Sequence, residues 1–140
     1  MDAAEAVEEA VEERVEREAV LDADAERAWE AISDPAELER WFADEVEMDL
    51  EEGSPARFEV DGTERRGRVE RVVEGRELAF TWSREPGEES LVELELTPCV
   101  GGTRISVVET RTVAAPTAMS AAAWGPPLSR LRQLVRLVLA

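Results

Sequence analysis

The side chains that could carry out chemistry are limited by what the chain lacks. Its 140 residues contain no histidine, no tyrosine and no lysine, so serine–histidine–aspartate catalysis, histidine-bound zinc and Schiff-base chemistry are excluded within this chain. What is left is a set of carboxylates and arginines, four tryptophans and the single cysteine Cys99, which has no disulfide or CxxC partner. The composition therefore predicts no cofactor, no bound metal and no catalytic residues.

Glu109 is the carboxylate whose position most suggests a functional role. Counting by twos from Ile105 and Val107 places it on the inward face of a strand, where an unpaired charge is costly. The same alternation makes Arg65 and Arg111 candidate partners. Two interpretations are open: a polar anchor that orients a ligand, or a solvated strand end at the rim of the sheet. A lone carboxylate does not make an active site.

Two other charged patterns are explained without a binding site. Alternating carboxylates from Glu45 to Glu52 project in a row from a strand, whereas a calcium loop needs a glycine turn and converging oxygens. The arginines of the following strands are expected to pair across the outer face of the sheet, namely Arg57, Arg66 and Arg68 with Glu59, Glu93 or Glu95.

The elements that position these residues begin with a strand and two short helices. Alternation from Val15 predicts a strand, and Asp22 or Asp24 is a candidate helix cap. A second helix is predicted to begin at Pro35, with Asp34 as its cap and Glu37 three residues later as in a capping box.

A period of two then persists over some sixty residues and predicts a continuous antiparallel sheet of hairpin-connected strands. A final amphipathic helix through Leu128 and Leu131 is expected to cover its apolar face. Gly125-Pro126-Pro127 is predicted to separate this helix from a short helical turn that starts at Thr117. The fold class is therefore α+β, with about seven strands.

Length and charge define the domain and its surroundings. Residues 1–13 are expected to form an acidic tail or frayed helix, and residues 14–140 a single domain. The net charge of −17 argues against a nucleic-acid partner, because phosphate binding needs a basic surface. No apolar run is long enough for a membrane span, and the acidic start is unlike a secretory signal. We therefore expect a cytoplasmic protein.

Several strings in the chain resemble a known family when they are taken in order. They are ERAWEAISDP at 26–35, LERW at 38–41, GRV at 67–69, RELAFTW at 76–82, GTRI at 102–105, and Trp124-Gly125 with Leu128 and Leu131. Together they resemble the START-like helix-grip superfamily (SRPBCC), in the branch of activator of heat-shock-protein ATPase homologues. The resemblance covers about residues 14–139. A histidine often found in that branch near the position of Glu109 is absent here.

The resemblance implies a curved sheet that grips the final helix, with an apolar cavity between them. Members of the superfamily include lipid carriers, receptors, cyclases and co-chaperones, so the fold does not choose a function. We expect the cavity to bind a small hydrophobic or amphipathic molecule without catalysis, with Glu109 as its polar end. The expected lining residues are Phe42, Phe58, Phe80, Trp82, Val107, Glu109, Met119, Trp124 and Leu128.

Other interpretations remain open at this point. The aromatic rings could fill the core and leave no cavity. The chain could instead be an interaction module for a chaperone or a transcription regulator, and a homodimer is also compatible with the sequence. A cyclase or hydrolase that uses Glu109 is the third alternative.

Overall fold

The computed structural model describes residues 11–84, 88–113 and 124–139. A seven-stranded antiparallel sheet, two short helices after the first strand and a final helix make up the fold, as the sequence predicts. The elements are β1 (Val11–Leu21), α1 (Ala25–Ser33), α2 (Pro35–Trp41), β2 (Glu45–Met48), β3 (Pro55–Val60), β4 (Thr63–Val73), β5 (Glu77–Ser83), β6 (Ser90–Cys99), β7 (Gly102–Val113) and α3 (Gly125–Leu139).

The sheet order is β1-β7-β6-β5-β4-β3-β2. Strands β2 to β7 therefore pair with their neighbours in sequence, and β1 is the edge strand beside β7. Strand β1 begins at Val11, earlier than the start at Val15 that alternation predicted. Its first residues pair with the end of β7, where Val11 lies opposite Val113. A partner so distant in sequence leaves no local signal in the amino-terminal residues.

The two short helices begin where the sequence predicts. Asp24 caps α1 by accepting a hydrogen bond from the backbone N–H of Arg27 at 2.9 Å, and Asp34 caps α2 in the same way for Ala36. The predicted capping box at Glu37 is wrong. The Glu37 carboxylate accepts from Arg27 at 3.1 Å, while the Asp34 N–H donates to the carbonyl of Glu30. A cross-helix ion pair thus replaces the local contact.

Helix α3 covers the apolar face of the sheet. Leu128, Leu131 and Val135 are buried in one core with Ile105 and Leu94 from the strands. The helix begins at Gly125, so Pro126 and Pro127 occupy its first turn, where a missing backbone N–H removes no helical hydrogen bond. A short helical turn was predicted to start at Thr117, and residues 117–123 lie outside the described residues.

The arginines of the outer sheet face form ion pairs with partners other than those predicted. Arg57 contacts Glu47 directly opposite on β2 at 3.0 Å and Glu45 at 3.1 Å. Arg66 and Arg68 pair along their own strand, with Glu64 and Glu70. Residues two apart on one strand share a face, so Arg66 and Arg68 pair with glutamates of their own strand and not with the predicted partners on other strands.

The hydrogen bond from Arg57 lowers the pKa of Glu47 below its ordinary value, and the nearby positive charge adds to this effect. Neither group is near the inner face of the sheet, so these ion pairs belong to the solvated surface. No helix within the described ranges is long and apolar enough to cross a bilayer.

Candidate ligand-binding cleft

A cleft of about 730 Å³ opens at one end of the sheet, where the end of α2 and the start of α3 meet strands β3, β4, β5 and β7. Its apolar lining includes Phe42, Trp82, Trp124, Val60 and Pro127. Phe42 is the residue that follows α2, and its backbone N–H donates to the carbonyl of Leu38. Trp82 projects from β5.

Three aromatic rings with similar plane orientations form an aromatic stack at the base of the cleft. The ring centroids are 5.3 Å apart for Phe42 and Trp82, 5.5 Å for Phe42 and Trp124, and 6.3 Å for Trp82 and Trp124, so each ring contacts the other two. Phe58 and Phe80 meet Phe42 edge-on from behind. Phe58 is 0% exposed and Phe80 is 1% exposed, so these two rings fill the interior between the sheet and α3. The open volume therefore lies at the mouth of that interior.

Glu109 holds the stack together from β7. One carboxylate oxygen accepts a hydrogen bond from the Trp82 indole at 2.9 Å, and the other accepts from the Trp124 indole at 3.1 Å. Buried indole N–H groups need an acceptor, and the carboxyl group of Glu109 serves both. The inward position predicted for Glu109 is consistent with these bonds. Of the two predicted arginine partners, Arg65 interacts with Glu109 through charge and not through a hydrogen bond, and Arg111 donates to Glu13 at 3.3 Å.

Arg65 covers the outer side of the aromatic stack. Its guanidinium carbon lies 4.2 Å from the centre of the Trp82 ring, a cation–π arrangement. Its Nε is buried and has no hydrogen-bond acceptor among the described residues. Burial lowers the pKa of Arg65 from its ordinary value; the charge of Glu109 opposes this shift and that of Arg84 adds to it.

Charged side chains form the rim. The lining contains five arginines, namely Arg40, Arg65, Arg84, Arg111 and Arg130, and five acidic residues, namely Glu39, Asp44, Asp61, Glu88 and Glu109. Three of these acidic groups accept hydrogen bonds: Glu109 from the indoles, Glu39 from the backbone N–H of Val46, and Asp44 from that of Asp61.

The structure brings four of the nine predicted site residues to the cleft: Phe42, Trp82, Glu109 and Trp124. Four others, Phe58, Phe80, Val107 and Leu128, lie in the packed core behind it. Met119 lies outside the described residues. The sequence analysis did not include Arg84 in the site, although it follows Trp82 by two on the chain and alternation would have indicated a shared face.

No group of three or more carboxylate or cysteine side chains within 11–84, 88–113 and 124–139 is arranged to hold a metal ion. Glu109 also stands apart from the other carboxylates, because both of its oxygens bind tryptophan. The arrangement can bind a molecule between aromatic edges and guanidinium groups.

Comparison with known proteins places this chain in a family. Residues 22–136 match the family model described as "Activator of Hsp90 ATPase homolog 1-like protein". The chain belongs to this family. The match includes both short helices, six of the seven strands in full and most of α3, so the resemblance seen in the sequence motifs is confirmed.

Solved structures of similar fold agree with the family assignment. DynU16, from the dynemicin biosynthetic locus, is 24% identical with a TM-score of 0.76, over 88% of this chain and 47% of that one. This chain therefore spans about half the length of DynU16. CalU16 from Micromonospora echinospora is 26% identical with a TM-score of 0.67, over 90% of this chain and 76% of that one.

A third similar structure is that of the Aha1 dimer from Colwellia psychrerythraea, which is 14% identical with a TM-score of 0.72, over 88% of this chain and 96% of that one. At this identity the likeness concerns the fold alone. No curated protein sequence matches the chain significantly.

Proposed function

We propose that this family member binds a small amphipathic molecule in the cleft beside Trp82 and Trp124 and does not convert it chemically. The observation that supports the proposal is a cleft of about 730 Å³ with an aromatic base and a charged rim that includes arginines. That volume falls within the range of roughly 300–1,000 Å³ that is typical of small-molecule sites.

The ligand suited to this cleft has both an apolar and a polar part. Phe58 and Phe80 fill the space between the sheet and α3, so an entirely apolar molecule has little room in the interior. At the mouth, Val60, Pro127 and the edge of Trp124 offer apolar contacts, while the guanidinium groups offer hydrogen-bond donors. Burial of apolar ligand surface contributes about 25 cal/mol per Å².

The state of Glu109 supports binding without catalysis. A general acid or base must reach the proton that it transfers, and the two indole hydrogen bonds hold the Glu109 carboxylate against Trp82 and Trp124. Releasing one oxygen would leave a buried indole N–H unsatisfied, which costs about 1–3 kcal/mol. The chain has no histidine or lysine to take over the role.

The proposal is tested with N-phenyl-1-naphthylamine, a neutral probe that fluoresces when it leaves water. We expect saturable binding to the full chain, and weaker binding by at least about tenfold in Ala43→Trp, because the added indole occupies the cleft that Ala43 lines. Val100→Trp is the matched control, since Val100 is 100% exposed on the β6–β7 turn.

Thermal unfolding of both variants checks that each is folded before binding is compared. Absence of saturable binding to the wild-type chain, or equal binding by the folded Ala43→Trp variant, would remove the proposal. Native mass spectrometry of the purified chain is the complementary measurement, because a co-purifying small molecule adds its own mass.

A second proposal concerns protein partners. One relative of the same fold was solved as a dimer, which favours a second copy of this chain over an unrelated partner. The same native mass spectra measure this directly. A monomer mass throughout the micromolar range would exclude a stable homodimer and leave the chaperone or regulator partner as a prediction without structural support.

A further inference from the structure

Arg65 is a residue of the cleft with a buried hydrogen-bond donor that no acceptor in the described part of the chain satisfies. It lies on β4 against the Trp82 ring, and no carboxylate of the described residues is within ion-pair distance of it. Its Nε is buried and has no hydrogen-bond acceptor among the residues that the structure describes. A buried donor without an acceptor costs about 1–3 kcal/mol, so an acceptor brought by a ligand would recover that energy.

Arg84 adds a second positive charge to the cleft near Arg65. It is close enough to Arg65 for the repulsion between the two cations to lower the pKa of Arg65. Two guanidinium groups that repel each other are stabilised when an anion binds between or beside them, and a guanidinium binds a planar oxyanion with two parallel hydrogen bonds.

The charge of the cleft differs from that of the remaining chain. Its lining has five arginines and five acidic residues, whereas the whole chain has 16 basic and 33 acidic residues. The lining is thus neutral on a protein of net charge −17. An anion that approaches this protein is repelled less at the cleft than over the average surface.

Glu109 does not prevent an anion from binding there. Its two oxygens accept from the indoles of Trp82 and Trp124, and no hydrogen bond or ion pair joins it to Arg65, so the Arg65 donors are left for a ligand. Its negative charge helps to keep Arg65 protonated, as the opposing effect on the Arg65 pKa shows. The carboxylate therefore supports the cation without neutralising its hydrogen bonds.

We infer that the cleft selects amphipathic molecules that carry a carboxylate or sulfonate, and that Arg65 is the residue that binds this group. The inference rests on the proposed function and adds the class of ligand. Arg65 donates to the oxyanion, Arg84 contributes charge from the rim, and the apolar part of the ligand lies against the aromatic edges.

The test uses two probes that differ by one sulfonate: N-phenyl-1-naphthylamine, which is neutral, and 1-anilinonaphthalene-8-sulfonate, which is an anion. We expect the wild-type chain to bind the anion at least about tenfold more tightly, the effect of a charge-assisted hydrogen bond. In Arg65→Gln we expect the ratio of the two affinities to fall to about one, whatever the affinity of this variant for the neutral probe.

Arg66→Gln is the matched control, because Arg66 is the next residue on β4, its side chain is 74% exposed, and it removes the same charge from the opposite face. Arg65→Lys is a second variant that keeps the charge and loses the paired donors, and it should recover part of the preference. Thermal unfolding establishes that each variant is folded.

The outcomes separate this inference from the proposed function. Equal affinity for both probes in the wild type, or an unchanged preference in folded Arg65→Gln, overturns the choice of an anion and leaves ligand binding standing. Saturable binding of neither probe overturns both. An equal loss of preference in Arg66→Gln also overturns the inference, because general charge and not Arg65 would then determine it.

Discussion

At the scale of single residues, the Glu109 carboxylate connects three parts of the fold. It lies on β7, accepts from Trp82 on β5, and accepts from Trp124 immediately before α3 begins. Phe42, which follows α2, contacts both of the tryptophan rings that Glu109 anchors. The orientation of the aromatic stack therefore depends on a single side chain that can accept two hydrogen bonds at once.

Substitution of Glu109 by glutamine tests this dependence. Glutamine offers one acceptor oxygen and one NH₂ donor, so one indole N–H would face another donor. We expect the free energy of unfolding to fall by about 1–3 kcal/mol. Chemical denaturation followed by tryptophan fluorescence measures it, and the emission of Trp82 and Trp124 should change in the native state as well.

Glu95→Gln is the control, since Glu95 is exposed on β6 and the charge change is the same. Its effect should stay within about 0.5 kcal/mol. If the two variants lose equal stability, the bonds from the indoles to Glu109 do not stabilise the fold, and the carboxylate would have to be assigned another role.

At the scale of the elements, the approach of β4 to β5 sets the position of Trp82. Gly67 lies opposite Trp82 in the register of these strands. A Cβ added at Gly67 would be 1.8 Å from the carbonyl oxygen of Thr81 and 2.9 Å from the Cα of Trp82. The two strands can approach this closely only because residue 67 has no side chain. Further along β4, the pairing register shifts by one residue between Val69 and Arg71.

Substitution of Gly67 by alanine is therefore expected to push β4 and β5 apart. Backbone atoms cannot move away as a flexible side chain would, so we expect a loss of about 3 kcal/mol or more in the free energy of unfolding, together with displacement of Trp82. Gly125→Ala is the matched control, because its added Cβ would only touch the end of the Arg17 side chain at 3.5 Å.

Thermal melts of the two alanine variants provide the comparison, and probe binding to Gly67→Ala reports on the cleft. A Gly67→Ala chain as stable as Gly125→Ala would show that the strand pair accommodates a methyl group, and the close approach of these strands would then not be what holds Trp82 in place.

The elements also show which features of this fold can be predicted from the sequence. Alternation predicted the strands, and the caps Asp24 and Asp34 predicted where the two short helices begin, because these signals depend only on neighbouring residues. The partners of Glu109 were not predicted. Alternation says which face a residue occupies, whereas the two indoles come from β5 and from the start of α3, and only the assembled sheet brings them together.

The same limit applies to the cleft. The apolar identity of Phe58 and Phe80 suited both a cavity wall and a filled core, and the volumes that decide between them depend on packing across elements. Arg65 could be placed on the inward face by counting. That its Nε has no acceptor among the described residues could not be predicted, because this depends on which side chains surround the guanidinium group in the folded protein.

At the scale of the whole molecule, two electrostatic effects oppose each other. A net charge of −17 on 140 residues destabilises the compact state by self-repulsion. The outer sheet face partly offsets this with ion pairs such as Arg57 with Glu47 and Arg71 with Glu77. Exposed pairs contribute at most about 1 kcal/mol each, so we expect the repulsion to be the larger of the two effects.

Salt separates these effects because it weakens both, and the sign of the change in Tm shows which is larger. The Debye length falls from about 10 Å at 0.1 M to about 3 Å at 1 M, so repulsion between distant carboxylates is screened first, while ion pairs in contact are screened less. We expect KCl to raise Tm by several degrees, with most of the rise below about 0.5 M. Near pH 4.5 many carboxylates are protonated, and the rise should shrink. A Tm that stays constant or falls with KCl at pH 7 would mean that the arginine–glutamate pairs outweigh the repulsion, and the acidic surface would then be a stabilising ion-pair network.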